Sequence, residues 1–175
     1  LNQKRKMKKN YSLIGKKKGN AVIEGLTVLV LITVFAIGGI WGMRIFDDLN
    51  SDIQADDSMD TQAQEVSDSL YTKYPTLIDN LFLFMFVMFI IFVLVSAFLI
   101  DSHPIFFIIS AILLLAIFVA AIFVGNAYNE IATDPEVSDY ANAMPYMSFV
   151  MRHIVEMIIG IGFMTSIVMF IKIRG

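Results

Sequence analysis

Arg152, His153 and Glu156 form the densest group of ionisable side chains beside an apolar run in this chain. On a helix, Arg152 and Glu156 stand at i, i+4 and His153 and Glu156 at i, i+3, so all three can share a face. Inside a bilayer such a cluster would serve a proton or ion pathway, with Glu156 as its titrating member. At a membrane surface the same residues are an inexpensive ion-paired start to a span, and that is the reading we take. A second carboxylate, Glu24, stands near the start of an apolar stretch, residues 16–42, "KKKGNAVIEGLTVLVLITVFAIGGIWG". At helix-centre depth an unpaired charge costs about 2.5–3.5 kcal/mol on insertion scales, so Glu24 needs a partner or an interfacial position. Elsewhere the chemistry is sparse. There is no cysteine, and His103 and His153 are far apart with no second ligand at metal spacing. Ser102 beside His103 reads as a turn, and no Walker, HExxH or GxSxG pattern occurs. We therefore expect no enzyme activity, no metal and no cofactor.

These residues must be positioned by membrane helices. The chain has 175 residues, 57% of them hydrophobic and 17% charged. Soluble domains run nearer 45–50% apolar and about 25% charged. A bilayer core about 30 Å thick takes about 20 apolar residues at about 1.5 Å each. Four stretches qualify, at about 25–43, 81–100, 105–125 and 152–171. The fourth is short, Met157 to Ile171, and reaches full length only by starting near Phe149 and taking in Arg152, His153 and Glu156. Lipid offers the backbone no hydrogen-bond partner, so each span must be a helix. The expected fold is all-α: an integral membrane bundle of four transmembrane helices. Asp101 to Pro104 link spans two and three as a short helical hairpin, with Pro104 in a first helical turn.

Charge sets the expected orientation. Lys4, Arg5, Lys6, Lys8, Lys9, Lys16, Lys17 and Lys18 precede the first span, and Lys172 and Arg174 follow the last. Segment 44–80 holds nine acids against Arg44 and Lys73, and segment 126–148 holds Glu130, Asp134, Glu136 and Asp139 with no base. Both termini are expected on the cytoplasmic side, or the interior of a particle, with two acidic segments outside. The organisation is then a basic tail, 1–19, and a single four-span domain, 20–175. Ile45, Leu49 and Ile53, then Val66, Leu70 and Tyr74, repeat at helical spacing. The first span is expected to continue outward as an amphipathic helix, with a second helical piece ending before Pro75. The acid-rich stretch from Asp52 to Asp68 is open to a mobile alternative. The basic tail suits anionic lipid, at about 1 kcal/mol per residue near the surface, and nucleic acid is not an expected partner.

Small residues mark expected packing surfaces: Gly38, Gly39 and Gly42 in "GGIWG", and Gly160 with Gly162. Phe82, Phe86 and Phe89 form a stripe for bundle or lipid contact, and Trp41, Tyr128, Tyr140 and Tyr146 fall near span ends as interfacial aromatics do.

Two resemblances extend this reading. Gly19-Asn20-Ala21-Val22-Ile23-Glu24, after Lys16-Lys17-Lys18 and before an apolar helix, resembles the class III signal sequence of type IV pilins, archaeal pilins and TadE-like pseudopilins. The resemblance implies peptidase cleavage after Gly19, with Glu24 as the glutamate that pairs with a neighbouring subunit's new N-terminal amine. Pilins have one span and a folded head, whereas this chain has four spans, so we expect the uncleaved form with Glu24 at the headgroup level. Leu1 reads as a non-ATG start or an open reading frame boundary, with Met7 as the alternative native start. The second resemblance covers "GNAYNEIATDPEVSDYANAMPYMSFVMRHIVEMIIGIGFMTSIVMFIKI", which is similar in layout to small multi-pass membrane proteins of bacterial and archaeal viruses. The leading expectation is a structural membrane protein that packs into an oligomeric or lattice assembly with itself or with other membrane or capsid proteins, as a virion membrane component. A holin-like pore or ion channel is the first alternative. A pilin-like accessory subunit of a secretion machine is the second.

Overall fold

The computed structural model describes residues 21–99 and 104–174. In chain order the helices are α1 (Ala21–Ala55), α2 (Thr61–Leu99), α3 (Pro104–Ala132), α4 (Ser138–Asn142), α5 (Pro145–Arg152) and α6 (Ile154–Arg174). No strand occurs among the described residues. Four of these helices, α1, α2, α3 and α6, are long and apolar enough to cross a membrane. The chain is a multi-pass integral membrane protein with an all-α, four-span bundle.

Around the bundle the order is α1, α2, α6, α3, each helix packing along the next. Spans two and three are close in sequence yet diagonal in space: each lies along α1 on one side and α6 on the other. The core is densest toward the end where α4 and α5 pack. Ala36, Ile40, Phe82, Tyr128, Met147 and Ile154 are fully or almost fully buried there. Methionines suit this junction because an unbranched thioether fills irregular gaps between helices that meet at different angles.

Two helices are far longer than a bilayer requires. At about 1.5 Å per residue, the 35 residues of α1 span about 52 Å and the 39 of α2 about 58 Å, against about 30 Å of hydrocarbon. The excess forms a helical hairpin that projects from one end of the bundle. It closes at residues 56–60, where Asp56 accepts hydrogen bonds from the Ser58 backbone N–H at 2.9 Å and the Ser58 hydroxyl at 2.6 Å. Those two bonds hold the Asp56 carboxyl below its usual range. Asp52 to Asp68 is thus a helix end, a tight turn and a helix start.

The expected stop before Pro75 does not occur. Pro75 lies inside α2, where it deprives the Tyr71 carbonyl of its helical donor. Packing on α1 outweighs that loss, since Tyr74 stacks on Phe46 with ring centroids 5.4 Å apart and Ser67 bonds to Asn50 at 2.7 Å. The fourth crossing also differs in detail. It is built from α5 and α6 with a bend at His153, so Arg152 closes one helix and Glu156 sits in the first turn of the next.

Candidate functional site

The polar groups of the bundle gather at the hairpin end, where α4 and α5 cover the side of α1 and α2. Asp79 on α2 is at their centre and is 3% exposed. Its carboxylate accepts the Met147 N–H at 2.6 Å and the Tyr146 N–H at 3.1 Å. These are first-turn donors of α5, which a helix cannot satisfy internally. Met144 precedes that helix and offers no capping side chain, and Pro145 has no N–H. A carboxylate from another helix supplies the missing cap, and its negative charge suits the helix N-terminus.

Three further ties surround Asp79. Tyr128, fully buried on α3, lies 2.9 Å from the Ser148 hydroxyl, which in turn donates to the Ala141 carbonyl at 2.6 Å. Tyr128 is therefore a core residue and not the interfacial aromatic that its position near a span end suggests. Tyr140 on α4 donates to Asp47 on α1 at 2.5 Å, which pushes the Tyr140 phenol up to about 12. Arg44 pairs with Glu136 at 2.6 Å and also stands 5.3 Å from the centre of the Trp41 ring. Exposed ion pairs are screened by water and contribute little, so Arg44 orients the α3–α4 connection more than it stabilises it. Every buried side-chain nitrogen or oxygen among the described residues has a hydrogen-bond partner.

Arg152, His153 and Glu156 are all exposed and sit at the bend between α5 and α6. This bend is level with Gly125 of α3, whose added Cβ would lie 3.1 Å from Ile154 Cγ2 and 3.8 Å from the Met151 carbonyl. Gly125 also ends the apolar run of α3, so the bend and its three charges stand level with the end of that run. His153 Nδ1 lies 2.9 Å from the Phe149 carbonyl and its ring is 4.6 Å from the Phe149 ring. Arg44–Glu136 is the ion pair found among the described residues.

The glycines divide by environment. An added Cβ at Gly39 would come within 2.9 Å of Ile78 Cγ2, one at Gly42 would strike the Tyr74 hydroxyl, and one at Gly162 would strike Leu114. These three let helices approach within the bundle. Gly38 and Gly160 have nothing within 4 Å and face outward. Phe82 and Phe86 are buried and stacked on one another, with Phe89 tilted beyond, so the stripe serves bundle packing. Gly19 lies outside the described residues. Glu24 falls within α1, but its side chain lies outside them too. Among the described residues no group of three or more His, Asp or Glu is placed to hold a metal.

Asp79, Asp47 and Ser148 carry no signal of their own in the sequence, and Tyr140 reads there only as an interfacial aromatic, not as the donor to Asp47. Asp79 is one acid among nine in its segment, and its partners lie 67 and 68 positions away. One signal was available: Met144-Pro145-Tyr146 starts a helix without a local cap, which requires a donor-satisfying group from elsewhere. Compared with known proteins, the chain matches no family model, no curated protein and no solved structure.

Proposed function

We propose that the protein is a structural membrane component that packs into an oligomeric assembly, in the setting of a virus membrane. The observation that carries this reading is the use to which the buried polar groups are put. Asp79 caps a helix, Ser148 bridges Tyr128 to the α4 backbone, and Asn50 joins Ser67 across the hairpin. Each ties one helix to another, and a group so tied is a fixture and not a step in a pathway. The exposed cluster at Arg152, His153 and Glu156 lies at the headgroup level, where ionised side chains are inexpensive. The virus setting rests on the layout of the C-terminal half and on the small size of the segments outside the spans. Reconstitution into liposomes loaded with a self-quenching dye and a pH indicator tests the reading against the pore alternative. The expected result is no release of dye or protons above protein-free liposomes. Flux abolished by Glu156→Gln would replace the structural reading with the pore.

A further inference from the structure

The projecting hairpin has two faces, and only one is covered. The seam between α1 and α2 is marked by Phe46 against Tyr74 and Asn50 against Ser67, with Gly39 against Ile78 below them. One residue after the seam stand Asp47 and Asp79, both tied to α4 and α5. One residue before it stand Ile45, Leu49, Val66, Lys73 and Leu77. In antiparallel helices, one step back from a shared seam turns both helices to the same side. These residues therefore share one face, opposite the face that α4 and α5 cover, and Leu70, one residue before Tyr71, extends it.

That face is apolar and open. Ile45 is 64% exposed, Leu49 50%, Val66 54%, Leu70 53% and Leu77 61%. Lipid does not account for all of it. Leu49 lies about 9 Å along α1 beyond Met43, the last residue of the uncharged run, and Val66 lies about 22 Å along α2 from Leu81. The line also runs downward without interruption through Trp41, Gly38 and Val34, all exposed, into the lipid-facing part of α1. An occupant that follows the line from bilayer to hairpin tip must itself be a membrane helix with a projecting continuation.

We propose that the occupant is a second copy of this chain, related by a two-fold axis along the membrane normal. This rests on the assembly reading and specifies its first contact. Such an axis brings the two open faces together and sets α1 of one copy opposite α2 of the other, giving a four-helix bundle above the membrane. The interface is isologous, so each contact occurs twice. Charge supports the pairing. Lys73 is the cation on this face, it is exposed, and among the described residues it has no ion pair. It lies level with Ile45, because Tyr74 meets Phe46. Asp48, exposed on α1, lies one turn further out, within reach of Lys73 from the opposing copy.

The absence of cysteine makes the test direct. Leu49→Cys and Leu70→Cys chains, carrying different tags and co-reconstituted in lipid, are oxidised with copper phenanthroline. The mixed disulfide is expected in the mixture, at several-fold higher yield than either homodimer alone, while Asn142→Cys on the covered side gives none. Lys73→Glu is expected to lower the dimer-to-monomer ratio about tenfold through like-charge contact, and Lys73→Glu with Asp48→Lys to restore it. Circular dichroism of each variant confirms that the exposed substitutions leave helicity unchanged. Discrete oligomers that cross-link equally from any site, or that ignore both charge reversals, overturn this interface and leave the assembly reading in place. A chain monomeric in lipid overturns both, and leaves the face to a protein of different sequence.

Discussion

The Asp79 carboxylate on α2 accepts the Met147 N–H at 2.6 Å and so caps a helix that begins 66 residues later in the chain, at Pro145. The contact sits between the second span and the last, and it fixes where α5 enters the bundle. Asp79→Ala strands two backbone donors away from water, each at about 1–3 kcal/mol. Asp79→Asn keeps one acceptor oxygen. Thermal unfolding in a mild detergent is expected to rank wild type above Asn above Ala. Equal midpoints for all three would remove Asp79 from its place as a cap.

Adjacent glycines offer a contrast within one helix. Gly39 has Ile78 within 2.9 Å of an added Cβ, and Gly38 has nothing within 4 Å. Gly39→Ala is expected to destabilise by about 1–3 kcal/mol through overpacking. Gly38→Ala should be neutral or gain up to about 1 kcal/mol, because alanine loses less entropy in a helix. Denaturant titration of the two proteins in the same detergent decides it.

Alkali should loosen the tie between α4 and α1 before it melts the bundle. The Tyr140 phenol is raised to about 12 by its bond to Asp47, against about 10 unfolded. The folded state holds that proton more tightly, so the contribution of this bond is complete below pH 10. It is lost as pH rises through about 12. Stability measured from pH 9 to 12 is expected to fall more steeply in wild type than in Tyr140→Phe, and identical slopes would contradict the assignment.

The four spans were legible because each is an uncharged apolar run of sufficient length, a signal that survives any tertiary arrangement. The continuation of α1 beyond the membrane was legible too, from Ile45, Leu49 and Ile53 at helical spacing. What sequence could not carry was choice of partner. Pro75 reads as a stop by its local chemistry, and packing of Tyr74 on Phe46 overrides it. Tyr74 reads as one stripe with Val66 and Leu70, yet the seam takes Tyr74 and leaves the other two open. The bend at His153 has no proline or glycine to announce it. Tyr128 looks interfacial by position and is buried because α4 and α5 fold back over it, held there in part by the Asp79 and Ser148 contacts.

The structure sets two segments at one end of the bundle, and charge supplies the expectation of which side of the membrane that end faces. Residues 56–60 and α4 lie at the same end of the bundle, since Tyr140 and Glu136 reach Asp47 and Arg44 on the hairpin. Asp57→Cys and Asn142→Cys are expected to label together with a membrane-impermeant maleimide from outside, and Ser12→Cys only after the membrane is opened. Asp57 is preferable to Ser58, which the Asp56 turn requires. Labelling of Ser12→Cys alone in sealed cells would reverse the orientation drawn from the basic residues.

The central claim is that this chain builds an assembly. The most direct measurement is the mass of the protein extracted from its native membrane in a lipid-preserving polymer disc, without detergent exchange. Discrete even multiples of the 19.7 kDa chain are expected, with the dimer as the smallest species. A single population at 19.7 kDa, unchanged as protein density in the membrane is raised, would contradict it.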